Sequence, residues 1–371
     1  MVFFSKFVML GIAALAVAHP GHEEHSSPAL KRSFLHHSRR SLAACADKLE
    51  YRELQARAAS RRRDIAKKNA KKSTDSGFLR VRDLSTVLAT SHQSNITGVT
   101  AVSSSDVFFS DDVTCILSPE GEVGPFWVKG ELIRADLVDD EPGVPVVMDA
   151  QFIDVNTCEP IVDLYWDVWN CNSTGVYSGV QDSSNGNGND ASNLDNTALR
   201  GLQPTDSDGV AQFQTIFPGH YSGRATHVHV IAHVGATVLS NGTLTGGNIA
   251  HTGQMFYDQD LITQVEALSP YSENTVAITL NANDRVLSDE TVNSDSDPVF
   301  NYVLLGDTVE DGLFSWVTVG IDTSASYSAS YASLLTAEGG VSSSNSGGSS
   351  STGGNGGTGA GNGGSGPGGP N

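Results

Sequence analysis

The sequence predicts a mainly β protein: an antiparallel β-sandwich core, an N-terminal helical or leader segment, and a disordered Gly/Ser-rich tail. Three observations predict it. From residue 98 to about residue 319, apolar residues recur in short alternating runs separated by turn residues, the pattern of several short strands. Residues 41–72 are rich in Ala, Leu, Glu, Arg and Lys, which favour a helix. From residue 337 to the end nearly every side chain is Gly, Ser, Thr or Asn, too little apolar surface to offset the entropy of ordering.

The elements follow in chain order. Residues 1–18 read as a secretory signal, with Lys6, an apolar run over 7–17 and the small-residue site Ala16-Val17-Ala18. That run is too short to span a membrane. Sequons at Asn95, Asn172 and Asn241 agree with export from a eukaryotic cell, so the protein is expected outside it. Residues 19–97 are basic and carry Lys31-Arg32, Arg39-Arg40 and Arg61-Arg62-Arg63. They fit a pro-segment cut at a basic site, or a helical arm that packs on the body or on a second subunit. His19, His22 and His25 are read as part of a solvated leader. The body, 98–335, offers strands over 144–155, 161–169, 209–217, 226–233, 274–280 and 301–305. Within the first, Met148, Ala150 and Phe152 share one face and Asp149 and Gln151 the other. Residues 178–199 form a polar loop long enough to be a lid. Asp206-Ser-Asp208-Gly209 reads as a hairpin turn. The tail, 336–371, has the polarity to meet an extracellular polymer.

Charge excludes one class of function. Residues 1–83 hold 17 of the 22 basic side chains against 8 acids, and the remainder holds 5 against 34. A body so acidic repels phosphate backbones, so the main domain does not bind nucleic acid.

The four cysteines are Cys45, Cys115, Cys158 and Cys171. If 161–169 is one extended strand, Cys158 and Cys171 lie roughly 30 Å apart at about 3.3 Å per residue. A disulfide needs Cα atoms within about 7 Å, so these two do not bond. Full pairing then joins Cys115 to one of them and Cys45 to the other. Loss of the leader instead leaves one of three thiols unpaired.

The chemistry concentrates in Phe217-Pro-Gly-His-Tyr-Ser-Gly-Arg-Ala-Thr-His-Val-His-Val230. His227 and His229, two apart on a strand, project to one face and can share a metal. Tyr221 and Arg224 stand beside them. His220 and His233 are read as polar neighbours of the strand.

From about residue 115 to residue 257 the sequence resembles the intradiol ring-cleavage dioxygenases, in particular their secreted fungal branch. The resemblance runs through Gly124-Pro-Phe-Trp127, Asn156-Thr-Cys-Glu-Pro-Ile161, Asp167-Val-Trp-Asn-Cys-Asn172, Gly175-Val-Tyr-Ser178, the Asp208-Gly209 turn, the Tyr–Arg–His-x-His block and Thr252-Gly-Gln-Met-Phe256. It implies a β-sandwich holding one non-haem Fe(III) per chain on Tyr177, Tyr221, His227 and His229. Phenolates and imidazoles suit that hard cation. It further implies Tyr221 as the labile ligand that acts as base, Arg224 as the group that stabilises charge on the ring, and Gln254 as a substrate contact. Pro125, Phe126 and Trp127 would line the pocket. The implied substrates are a catechol-type molecule and O2, the product a muconate-type diacid. Dimerisation through N-terminal helices is a feature of relatives that work inside cells.

This chain departs from the family at Asn170, where a His is common, and in a longer interval after His229. Two rival readings remain: a β-sandwich that binds a metal, phenolic or glycan without turnover, and a copper or zinc hydrolytic site on His227 and His229. The latter leaves the paired tyrosines without a role.

Overall fold

The computed structural model describes residues 28–45, 48–70, 84–93, 121–291 and 296–343. The signal-like start, the three leader histidines, Asn95, Cys115 and the chain beyond residue 343 lie outside the described residues.

Two four-stranded sheets face each other. The first has the order β10 (Asn301–Leu304), β11 (Leu313–Ile321), β2 (Pro145–Asp154), β5 (Val210–Ile216). The second has the order β4 (Arg200–Pro204), β3 (Tyr165–Trp169), β6 (His227–Val234), β9 (Asn248–Phe256). Pairing is antiparallel except between β2 and β11, which run parallel with Asp149 opposite Trp316. The inward faces make the core. Met148, Ala150 and Phe152 of β2 and Val317 and Val319 of β11 meet Trp166 and Val168 of β3 and Val228 and Val230 of β6. Each such large side chain contributes about 1.5–3 kcal/mol when taken from water.

The polar face of β2 is not solvated, because the arm covers it. α1 (Pro28–Cys45) and α2 (Leu49–Asn69) replace the single helix expected over 41–72, and Lys48 between them is extended. Arg61 and Arg62 of α2 both bond Asp149 of β2, at 3.1 and 3.0 Å, and Arg57 meets Asp208. Cys45 is joined to Cys158 at the β2–β3 turn, with Cα atoms 5.5 Å apart. The helices are thus packed on the body. Cys171 is a buried free thiol that donates to the Gly219 carbonyl, so the four-cysteine pairing does not hold.

Four strand expectations match β2, β5, β6 and β10 closely. β3 starts only at Tyr165, since the chain before it turns at Val162 and Asp163. The strand expected over 274–280 is absent. Val276, Ile278 and Leu280 alternate as a strand would, but they are 40–43% exposed and their backbone pairs with no strand among the described residues. Local side chains take its polar groups instead: Asn274 Oδ1 accepts from Val276 N, and the Val276 carbonyl accepts from His220 Nε2. The Asp206–Gly209 turn is as expected, with Asp206 Oδ1 accepting from Asp208 N and Val210 N. The tail begins later than residue 336: β12 (Ser333–Thr336) and β13 (Gly339–Ser342) form a hairpin, and β12 pairs in parallel with β1 (Val128–Lys129).

Candidate metal centre

The site lies on the outer face of the second sheet. Along β6, Val228 and Val230 point into the core, so His227 and His229 point away from it. Nε2 of the two rings is 3.0 Å apart. The Tyr177 hydroxyl is 3.5 Å and the Tyr221 hydroxyl 3.4 Å from His227 Nε2. Tyr177 and, more than forty residues on, the cluster Tyr221, His227 and His229 therefore converge on one point.

The backbone fixes the protonation of His227. Its Nδ1 lies 2.6 Å from the Ala225 carbonyl, which only accepts, so Nδ1 carries the proton. Nε2 then presents its lone pair to the two phenols, the tautomer a metal ligand needs. His229 is held by packing. Trp169, opposite it on β3, stacks on its ring at 4.8 Å with a 2° tilt. On the other side the chain passes at Gly124, whose φ is +76°, and a Cβ there would fall 2.7 Å from His229 Cε1.

Tyr177 comes from the 178–199 loop region, and that loop serves as its mount. Asn185 Oδ1 accepts from Tyr177 N, while Asn185 and Asn193 Nδ2 both donate to its carbonyl at 2.8 Å. Tyr221 follows the Pro218-Gly219 turn. Phe126 packs on both rings, 4.9 Å from Tyr177 and 5.9 Å from Tyr221. Tyr177 is fully buried and Tyr221 is 8% exposed, so Tyr221 is the phenol nearer solvent. Burial pushes both hydroxyls far above the usual phenol range; Arg224 opposes this at both and Arg200 at Tyr177.

Arg224 is clamped. Its Nε donates to Asp284 Oδ2 at 2.9 Å and its Nη2 to Gln254 Oε1 at 2.5 Å. Asp284 also accepts from Ala225 N and from Leu287 N at the start of α5 (Arg285–Thr291). Burial works against the ionised Asp284, but the Arg224 charge and these bonds hold its carboxyl below the usual range. Gln254 stands opposite His229 on β9, and its Nε2 donates to the Glu122 carbonyl at 2.8 Å. Both ends of Gln254 are thus engaged, one of them in holding Arg224. Arg224 Nη1 is buried with no acceptor among the described residues.

Residues 124–265 match the family model described as dioxygenase. This segment is similar to the dioxygenase family. The chain is similar in structure to an intradiol ring-cleavage dioxygenase from Tetranychus urticae, with 28% identity, 57% of this chain and 97% of that chain covered, and a TM-score of 0.47. It is also similar to the dioxygenase domain of a carbohydrate-binding fusion from Streptomyces sp. SirexAA-E, at 21% identity, 54% and 96% coverage and a TM-score of 0.33. A third is catechol 1,2-dioxygenase from Pseudomonas arvilla C-1, at 16% identity, 55% and 62% coverage and a TM-score of 0.35. No curated protein matches the chain.

The residues expected from the sequence divide in the structure. Tyr177, Tyr221, His227, His229, Arg224, Gln254 and Phe126 come together. Pro125 is half-buried beside them in the chain, and Trp127 turns away, its Nε1 donating to Asp167 Oδ2 at 3.0 Å. His220 donates to Glu266 and to the Val276 carbonyl, and His233 donates to Asp167. Asn170, in place of the common His, donates to the Cys171 carbonyl. Asn172 is half-buried, its Oδ1 accepting from Thr174 and Val176, whereas Asn241 is exposed in the turn between β7 (Thr237–Val238) and β8 (Leu244–Thr245).

The donor set fits a ferric ion. Two phenols and two imidazoles are hard to borderline ligands for a hard trivalent cation. Burial alone keeps both phenols protonated, so only a cation at their oxygens would turn them to phenolates. Among the described residues no three His, Cys, Asp or Glu side chains form a metal cluster, which leaves the tyrosines indispensable to this one.

Proposed function

We propose that the chain is a secreted non-haem Fe(III) dioxygenase that cleaves a catechol-type ring between its two hydroxyl-bearing carbons with O2, giving a muconate-type diacid. One observation carries the reading: the hydroxyls of Tyr177 and Tyr221 and Nε2 of His229 all lie within 3.5 Å of His227 Nε2. These four residues would hold the ion, which when bound supplies Lewis acidity toward the two catechol oxygens.

The protein's own part follows from its geometry. Tyr221, the more exposed phenol, takes a substrate hydroxyl proton at its oxygen. Arg224 brings a fixed charge and a donor, Nη1, that has no acceptor in the described protein and suits an anionic ring. Gln254 and Asp284 set the orientation of that guanidinium, so Gln254 acts as a positioning residue. Phe126 covers the two tyrosines and keeps water off their rings. Export is part of the same reading. The Cys45–Cys158 disulfide supports it, because such bonds persist in oxidising compartments.

The test is a visible spectrum of the purified, iron-loaded protein before and after anaerobic catechol. A broad tyrosinate-to-iron band that shifts on catechol addition is expected. A protein that stays colourless with ferric iron would overturn the proposal. Tyr221→Phe should keep a band from Tyr177 and lose most turnover.

A further inference from the structure

A second cavity, of about 330 Å3, opens on the same outer sheet face. That is within the range of small-molecule sites. It lies toward His233, four residues beyond His229 on β6, or about 13 Å at about 3.3 Å per residue. None of the four proposed ligands lines it. Its floor includes Asp167, two residues before Trp169 on β3, and its walls include Trp127, Lys129, Glu131 and Tyr331.

The lining is specific in its chemistry. Trp127 and Tyr331 meet edge to face, 6.4 Å apart at 79°, and form an aromatic corner. The Trp127 ring is fixed by its bond to Asp167, which also accepts from His233 Nε2 at 3.1 Å. Glu131 is only 3% exposed, and its Oε2 has no hydrogen-bond partner among the described residues. The nearest cation, Arg200 Nε, is 3.9 Å from Oε1, beyond hydrogen-bond distance. Burial pushes the Glu131 carboxyl up to about 7, the Arg200 charge pulling the other way. A buried acceptor of this kind costs stability unless something donates to it.

Charge narrows the ligand. Glu131 and Asp167 repel an anion. Lys129 Nζ already lies 5.6 Å from the Tyr331 centroid and repels a ligand cation from that ring. A neutral ring with several hydroxyl donors and an apolar C–H face satisfies both the carboxyls and the aromatic corner. A flat aromatic would find no pair of parallel faces there. We propose that this cavity is a sugar-binding subsite, separate from the metal centre, that takes one neutral pyranose ring. The ring could be a free monosaccharide or the end unit of a glycan.

Titration calorimetry of the full chain against glucose, mannose, xylose, N-acetylglucosamine, cellobiose and chitobiose tests this, with choline, benzoate and catechol as counter-probes. At least one sugar should bind saturably, with a Kd of about 1 mM as an order of magnitude. Tyr331→Ala, at a side chain 37% exposed, and Glu131→Gln should each weaken binding about tenfold or more, with thermal unfolding confirming the fold. Tighter binding of a disaccharide than of its monomer would point to a glycan end, and equal binding to a free sugar; both support the subsite. Lack of saturable sugar binding, sugar binding unaffected by both substitutions, or choline, benzoate or catechol binding that is lost in Tyr331→Ala would overturn it.

Discussion

Arg200 holds its guanidinium carbon 5.8 Å from the centroid of the Tyr177 ring, and both side chains are fully buried. Its Nε donates to the Ser178 carbonyl at 2.8 Å, which orients it behind the tyrosine, with Glu131 as the nearby counter-charge. A fixed cation at that ring stabilises electron density on the phenolate relative to the neutral phenol. Arg200→Met should therefore move the tyrosinate-to-iron band to longer wavelength. It should also lower stability, because Glu131 loses the charge that opposes its burial and takes up a proton. Glu131→Gln in the same chain should recover much of that stability without restoring the band. Equal band positions in wild type and Arg200→Met would exclude the electrostatic role.

Gly124→Ala tests the close approach to His229. The φ of +76° costs an L-residue about 1–2 kcal/mol, and the new Cβ would stand 2.7 Å from the imidazole. The ring must move off its stack on Trp169. Iron content per chain and turnover should fall together, by about tenfold or more, while unfolding shifts only by the backbone strain. Full iron occupancy and activity would show that His229 has room to spare.

His92 fastens the segment before the body to the sandwich. Its N–H and Nδ1 bond Asp258, at 2.7 and 2.5 Å, and its Nε2 bonds Asp297 at 3.0 Å. Burial opposes its charge, but the two carboxylates raise it to about 10. The folded value lies above the unfolded value of 6.5, so the stabilisation is complete below about pH 6.5 and is lost as pH rises through about 10. His92→Gln should be less stable than wild type by about 2 kcal/mol at pH 6, and the gap should narrow by pH 10. A gap constant across that range in urea titrations would mean that the imidazolium contributes nothing.

Asp149 is the anchor of the arm. It accepts from Arg61, Arg62 and Gln212, and Arg62 also donates to the Val317 carbonyl and Thr318 Oγ1. Burial works against its charge, yet the two guanidinia hold the carboxyl below its usual range. Asp149→Asn should cost about 3–5 kcal/mol by leaving buried cations uncompensated. It should also open Arg61-Arg62-Arg63 to trypsin, which the native protein should resist there. Asp149→Asn with Arg62→Met should recover part of the stability. Rapid native cleavage at this triplet would show that α2 leaves the body readily.

Much of the fold was legible because alternation in β2, β5 and β6 reports a face buried in the core. The alternation at Val276, Ile278 and Leu280 misled because a strand also needs a partner edge, which no local pattern encodes. What covers Asp149 and Gln151 was not legible for a similar reason: the helix over their face lies about 90 residues away in sequence. The parallel β2–β11 pair, a contact between distant segments, left no trace in spacing.

At the site, motif resemblance picked out the four side chains that converge, with Arg224 and Gln254 beside them, because residue type and order carry that signal. It assigned Gln254 to substrate and left unread that the Gln254 oxygen accepts from Arg224. The supports were missed: Trp169 and Gly124 around His229, the Ala225 carbonyl, Asn185 and Asn193 beneath Tyr177, and Arg200. Asp284 alone had a readable signal, an Asp opening the helical run Arg285-Val-Leu.

The Cys45–Cys158 bond spans 113 residues and ties the first helix to the body on the far side of every dibasic pair from Arg61 onward. A protease that cut between Asn69 and Leu84 would release nothing. The product would be a two-chain molecule, its light chain retained by one covalent link and by the Asp149 ion pairs. Maturation of that kind would leave the native mass almost unchanged and become visible only on a reducing gel.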